Sequence, residues 1–97
     1  MAYGIVHFFP GGTKEQYEAA IGAVHPDNGA SLPPGQRYHA AGPTDDGWLI
    51  FAVHDSQASW EAFRDSTLLP ALQQGIDGGF QSPPQEQSFE VDHLQTA

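Results

Sequence analysis

Trp48-Leu49-Ile50-Phe51-Ala52-Val53-His54-Asp55-Ser56 sets the frame for the rest of the chain. From Trp48 to Val53 both alternating faces are apolar, which predicts a strand in the middle of a sheet with cover on both sides. Asp55-Ser56 then stops the strand, and Ser56 is placed to cap a helix. That helix carries a buried stripe of Trp60, Phe63 and Thr67 or Leu68. Pro70 falls inside the helical pattern and is expected to break the helix near Leu69. Before the central strand, Pro43-Thr44-Asp45-Asp46-Gly47 reads as a turn. It is preceded by a short strand from Gln36 to Gly42. These two strands are expected to form an antiparallel hairpin.

Working further out, Tyr3-Gly4-Ile5-Val6-His7-Phe8-Phe9 predicts a buried strand ending at Pro10-Gly11-Gly12. Thr13 with Gln16 makes a capping box, and Tyr17, Ala20, Ile21 and Val24 give the following helix one apolar stripe. Its end is expected near His25-Pro26. Gln85 to Leu94 alternates and predicts a last strand, with Phe89, Val91 and His93 on one side. The two helix starts echo each other: Thr13 and Tyr17-Glu18-Ala19 align with Ser56 and Trp60-Glu61-Ala62. Two strand-helix-strand halves of this kind predict a ferredoxin-like α+β fold, βαββαβ, with an antiparallel four-stranded sheet ordered 4-1-3-2.

The chain has 97 residues, enough for one domain spanning 1–97. It has no cysteine, which excludes disulfides and thiolate metal sites. Three Lys and Arg stand against twelve Asp and Glu, a net charge of -9. So acidic a chain repels phosphate backbones and anionic membrane surfaces, and neither nucleic acid nor membrane is expected as a partner. No apolar run approaches a membrane span, and the N-terminus lacks a basic region followed by an apolar one. A cytoplasmic location is the expectation. Both faces of the first and third strands are too apolar to meet water, and two helices cover only one face. The bare face predicts a homodimer with two sheets packed face to face.

The element order, Phe9-Pro10-Gly11-Gly12-Thr13 before the first helix, and Val53-His54-Asp55-Ser56 before Trp60-Glu61-Ala62-Phe63 resemble the dimeric α/β-barrel superfamily. The resemblance runs over residues 3 to 94 and points to its small antibiotic-biosynthesis-monooxygenase-like members. It implies a homodimeric barrel with a pocket between sheet and helices in each subunit. It implies no single reaction, because this fold hosts many. Oxygenase and haem-degrading members carry an asparagine on the first strand and a tryptophan on the second helix. Here the first strand offers His7, the lone asparagine is Asn28, the tryptophan position falls on Phe63, and the axial-histidine position falls near Gln73. Haem degradation is therefore not expected, and no cofactor is. Cyclase members pair a tyrosine with a histidine; Tyr38 and His39 alternate faces, so such a pair needs two strands, as in Tyr3 with His54.

The residues themselves point to His7, His39 and His54 as carriers of chemistry, since imidazoles near neutral pKa move protons. If Ile50 lies opposite both His7 and His39, those two histidines share a face. Tyr3, Tyr38, Trp48, Ile50 and Phe63 are the expected walls of a substrate pocket, with Tyr17, Trp60 and Phe80 as further aromatics that could line it. Separate histidines that bond locally, and aromatics that merely pack, fit the same pattern. The helical His-Glu-x-x-His spacing is absent and the register separates the strand histidines, so no metal site is expected. Arg37 or Arg64 could hold a carboxylate or make a surface ion pair. Two functions are consistent with these residues. One is a cofactor-independent monooxygenase, cyclase or isomerase acting on a small hydrophobic metabolite with a histidine base. The alternative is a non-catalytic ligand-binding or stress-responsive barrel dimer.

Overall fold

The computed structural model describes residues 1–97. The order is β1 (Tyr3–Pro10), α1 (Lys14–Val24), β2 (Gln36–Thr44), β3 (Gly47–His54), α2 (Gln57–Phe63), a π-helical turn (Arg64–Leu68), α3 (Leu69–Gln74) and β4 (Gln85–Glu90). All pairings are antiparallel and the sheet order is β2-β3-β1-β4, the ferredoxin-like arrangement. β3 lies centrally, as its two apolar faces require.

Both helix starts are built as their sequences dictate. Thr13 Oγ1 accepts from the Gln16 amide at 3.2 Å, and Gln16 Oε1 accepts from the Thr13 amide at 3.0 Å. Ser56 Oγ accepts from the Ser59 amide at 3.0 Å. Pro70 does not break the second helix. The chain stays helical from α2 into α3, because the Arg64–Leu68 turn widens and the Leu69 amide bonds the Arg64 carbonyl five residues back. The Ser66 hydroxyl donates to the Ala62 carbonyl at 2.6 Å. Pro70 then sits in the first turn of α3, directly after the widened turn.

Two other expectations need correction. The hairpin loop is only Asp45-Asp46, with Thr44 opposite Gly47, so β2 runs two residues further than its sequence suggests. Ile50 consequently faces Ala41, and His39 faces Ala52. A slip of two residues preserves the face, so His39 still shares the helix side with His7. The last strand ends at Glu90 rather than Leu94, because its partner β1 begins at Tyr3, opposite Glu90. Trp48, just after the turn, is buried, 7% exposed.

β2 and β3 are out of step at one point: Gln36 pairs with His54, but Tyr38 pairs with Val53. The extra residue, Arg37, makes a bulge, and bulges re-aim side chains. Without it Gln36 would share the outer face with Tyr38; with it, Gln36 joins the helix side. Arg37 pairs with Asp55, and the Asp55 amide donates to the Gly35 carbonyl at 2.8 Å, which fastens the bulge to the end of β3.

The core is thin. Only 12 of 97 residues are buried, and α1 buries none, although its stripe faces the sheet. The packed part is Ile5, Trp60 and Phe63 under α2. Between α1 and the sheet lies space instead. The opposite face of the sheet is open and apolar, with Tyr38 47%, Leu49 39% and Phe89 45% exposed. The Phe89 ring lies across Gly4, where any Cβ would strike it, and runs parallel to Phe51 at 6.4 Å. No helix is long and apolar enough to cross a membrane.

Candidate functional site

The space between sheet and helices is a cavity of about 410 Å³, lined by 23 residues of which 15 are hydrophobic. That volume lies in the range of small-molecule sites. α1 supplies Tyr17, Ala20, Ile21 and Val24, the stripe that finds no core to enter. The β1–β3 floor supplies Ile5, His7, Ile50 and Ala52, and the second helical segment supplies Phe63, Arg64 and Leu68. The loop after α3 closes the far side. Its Phe80 ring stacks on Phe9 at 3.7 Å and 10°.

One line of polar groups runs through this apolar surround. Tyr17 Oη lies 2.7 Å from His39 Nε2. His39 Nδ1 lies 3.0 Å from Gln36 Oε1. Gln36 Nε2 lies 3.1 Å from His54 Nε2, and His54 Nδ1 lies 3.2 Å from Ser59 Oγ. Since Gln36 Oε1 accepts, His39 carries its proton on Nδ1, and Tyr17 donates to the bare Nε2. Since Gln36 Nε2 donates, His54 Nε2 is also bare, and Nδ1–H donates to Ser59. The His25 ring stands edge-on to His39 at 4.8 Å.

Burial sets the charge state of this cluster. It lowers the His39 pKa below 6.5, and it lowers that of His54, against which Asp55 pulls upward. His25 is driven down to about 4, first by burial and then by the nearness of His39. Burial raises the Tyr17 phenol. At neutral pH the site therefore holds neutral imidazoles and a protonated phenol.

His7, His39, Ile50 and Phe63 line the cavity. His54 lies beneath it, fully buried, hydrogen-bonded to the lining residue Gln36 and packed against the Trp60 and Phe63 rings. His7 stands two strands from His39. Its Nε2 meets Glu86 Oε1 at 2.7 Å across β4, beside the Trp60 ring. Tyr3 is opposite His54 in register, yet its hydroxyl donates to Ser88 at 2.8 Å, so the two make no dyad. Tyr38 points to the outer face, 5.9 Å from Phe51, and is no part of the pocket. Trp48 packs on Tyr17 at 5.2 Å and does not line the cavity. Its Nε1 is buried without a partner. Arg37 is held by Asp55 away from the site, whereas Arg64 lines the rim and is bound by Asp65 at 2.9 Å.

Gln36 and His25 are lining residues that sequence reasoning misses, and Tyr17 reads from the sequence as an aromatic wall, not as a proton carrier. A hydroxyl on a helix stripe that faces a histidine strand is the usable signal for it. Gln36 is hidden by the bulge. No three side chains of the metal-ligating types converge.

No protein-family model matches this chain, and no curated protein matches it. Its likeness is to solved structures. One is a Chloroflexus aurantiacus protein provisionally named an antibiotic biosynthesis monooxygenase, at 17% identity and a TM-score of 0.67, covering 99% of this chain and 98% of that one. Another is the Mycobacterium tuberculosis protein Rv0793, at 17% identity and a TM-score of 0.62, covering 99% and 97%. End to end, the chain is similar in fold to these two structures, and the likeness shows the ferredoxin-like α+β architecture.

Proposed function

We propose that this chain is a homodimeric barrel protein that binds a small hydrophobic metabolite in the sheet–helix cavity and removes a proton from it without a cofactor. The observation that carries the reading is the Tyr17–His39 pair at 2.7 Å, a phenol donating to a neutral imidazole, set in an otherwise apolar cavity of about 410 Å³. Both nitrogens of His39 are engaged, so the atom that meets the ligand is Tyr17 Oη. A substrate proton passes to Tyr17 Oη as the phenol proton passes to His39 Nε2. The electron pair of the broken C–H bond stays on the substrate. A phenol held above its ordinary pKa and an imidazole held below its own make a weak base. Such a pair suits carbon acids whose anion spreads over a carbonyl and fused rings. The fate of that anion, whether ring closure, proton return at another carbon or attack on dioxygen, is set by the substrate. The fold shared with a protein named for monooxygenation agrees with the last of these.

The test uses 2-tetralone, a two-ring ketone of suitable size, in deuterated buffer. Its exchange at the carbon next to the carbonyl is followed by proton NMR. The protein is expected to speed exchange at least tenfold over buffer at pH 7. Tyr17→Phe and His39→Gln are each expected to remove most of that gain. A ketone that binds, seen as line broadening, yet exchanges at the buffer rate would leave a non-catalytic ligand carrier. A ketone that does not bind would remove the ligand-binding reading as well.

A further inference from the structure

Gln36 is in an unusual position for a glutamine: 8% exposed, on the inward side of a bulge, with both ends of its carboxamide on imidazole nitrogens. A carboxamide has one end that only accepts and one that only donates. Whichever ring faces Oε1 must carry a proton on that nitrogen, and whichever faces Nε2 must not. Gln36 touches His39 through Nδ1 and His54 through Nε2. The two rings can then be satisfied only together, with both protons on Nδ1 or both on Nε2.

The ends of the chain choose between these. A phenol is a better donor than a serine hydroxyl, and an imidazole nitrogen is a better acceptor than a phenol oxygen. The arrangement in which Tyr17 donates to His39 and His54 donates to Ser59 is therefore the stronger one. It also agrees with the placement of the carboxamide, Oε1 toward His39 and Nε2 toward His54. We infer that Gln36 is a positioning residue whose one carboxamide holds His39 and His54 in the same Nδ1-protonated form, leaving His39 Nε2 bare to face Tyr17. Its catalytic meaning rests on the reading of Tyr17 and His39 as a proton-transfer pair. The tautomers themselves do not rest on that reading. A neutral histidine in water favours the proton on Nε2, so two rings held the other way report a constraint imposed by the protein. The lowered pKa values of both rings keep them neutral at the pH where this is measured.

The experiment is long-range proton–nitrogen correlation NMR on the full chain with ¹⁵N-labelled histidine at pH 7.5, without ligand. Ring signals are assigned with His39→Gln and His54→Gln. His93, which is exposed, serves as the unconstrained reference. Wild type is expected to show Nδ1–H and bare Nε2 for both His39 and His54. Gln36→Glu presents two accepting oxygens. His39 is then expected to stay Nδ1-protonated while His54 moves its proton to Nε2, splitting the pair. A proton on Nε2 of either ring in wild type would overturn the inference. So would an unchanged His54 in a folded Gln36→Glu. The wild-type spectrum decides even if that variant does not fold. Failure of 2-tetralone exchange with the expected tautomers present would sink the proton-transfer reading and leave this one standing.

Discussion

At His25 the residue, the fold and the solution conditions meet in one ring. It closes α1, is 8% exposed, and abuts His39 and Phe63. Its pKa of about 4 in the folded chain lies below the ordinary 6.5 it regains on unfolding. Between those values the unfolded chain binds a proton that the folded chain does not, so stability rises with pH. It is fully present above pH 6.5 and is lost as pH falls toward 4. For His25 the loss is about 2 kcal/mol, after allowance for the ring's partial solvation. Urea unfolding at pH 7.5, 5.5 and 4.5 should show this fall, and His25→Gln should make it shallower, leaving the part that His39 and His54 contribute. An equal slope in the variant would place the acid sensitivity elsewhere. At this scale the sequence is a partial guide. Alternation along β1 and β3 is enough to bring His7 and Ile50 to one side, because neighbouring strands share a parity. Nothing in alternation reveals that Tyr17 reaches over from α1 to complete the pair with His39.

Among the elements, the bulge at Arg37 and the glycine before it matter most to the site. Gly35 holds φ at +83°, and a Cβ there would overlap Ser59 Oγ, the partner of His54. Gly35→Ala therefore adds a left-handed backbone penalty and displaces Ser59. It is expected to cost about 1–3 kcal/mol and to lower the urea midpoint. Gly42→Ala, with open space at its Cβ and no positive φ, should leave the midpoint unchanged. Comparable losses in both would mean that the conformation at Gly35 is not the cause. The local signals at helix starts are readable because a cap and its amide sit three residues apart. The bulge and the π-turn are not, since each depends on what the chain packs against. Pro70 looks like a helix breaker until the preceding turn widens and receives it. The hairpin misleads for a similar reason: Pro43 and Thr44 are turn-forming in isolation but pair on an edge strand here.

Considered whole, the molecule carries an open apolar sheet face and a charge of -9. The proposed dimer would bury that face, and its two like-charged halves would resist each other through solvent. Sedimentation velocity should show a dimer whose dissociation constant falls as salt rises from 50 to 500 mM, because screening weakens the repulsion while leaving apolar burial intact. Phe51→Glu, in the middle of that face, should give a monomer. A wild-type chain that stays monomeric at high salt would refute the expectation.

The ring stack of Phe80 on Phe9 has a kinetic side. It joins the 75–84 segment, which has neither helix nor strand, to β1, and irregular segments of this kind open more often than the domain unfolds. Residence time in the cavity would then follow the opening of that segment, while affinity follows the α1 stripe and the sheet floor. Phe80→Leu should shorten the lifetime of bound 2-tetralone, read from NMR line shapes, with a smaller change in its equilibrium constant. On that reading, entry and retention of a guest would be set largely by different parts of the chain and could be tuned one at a time.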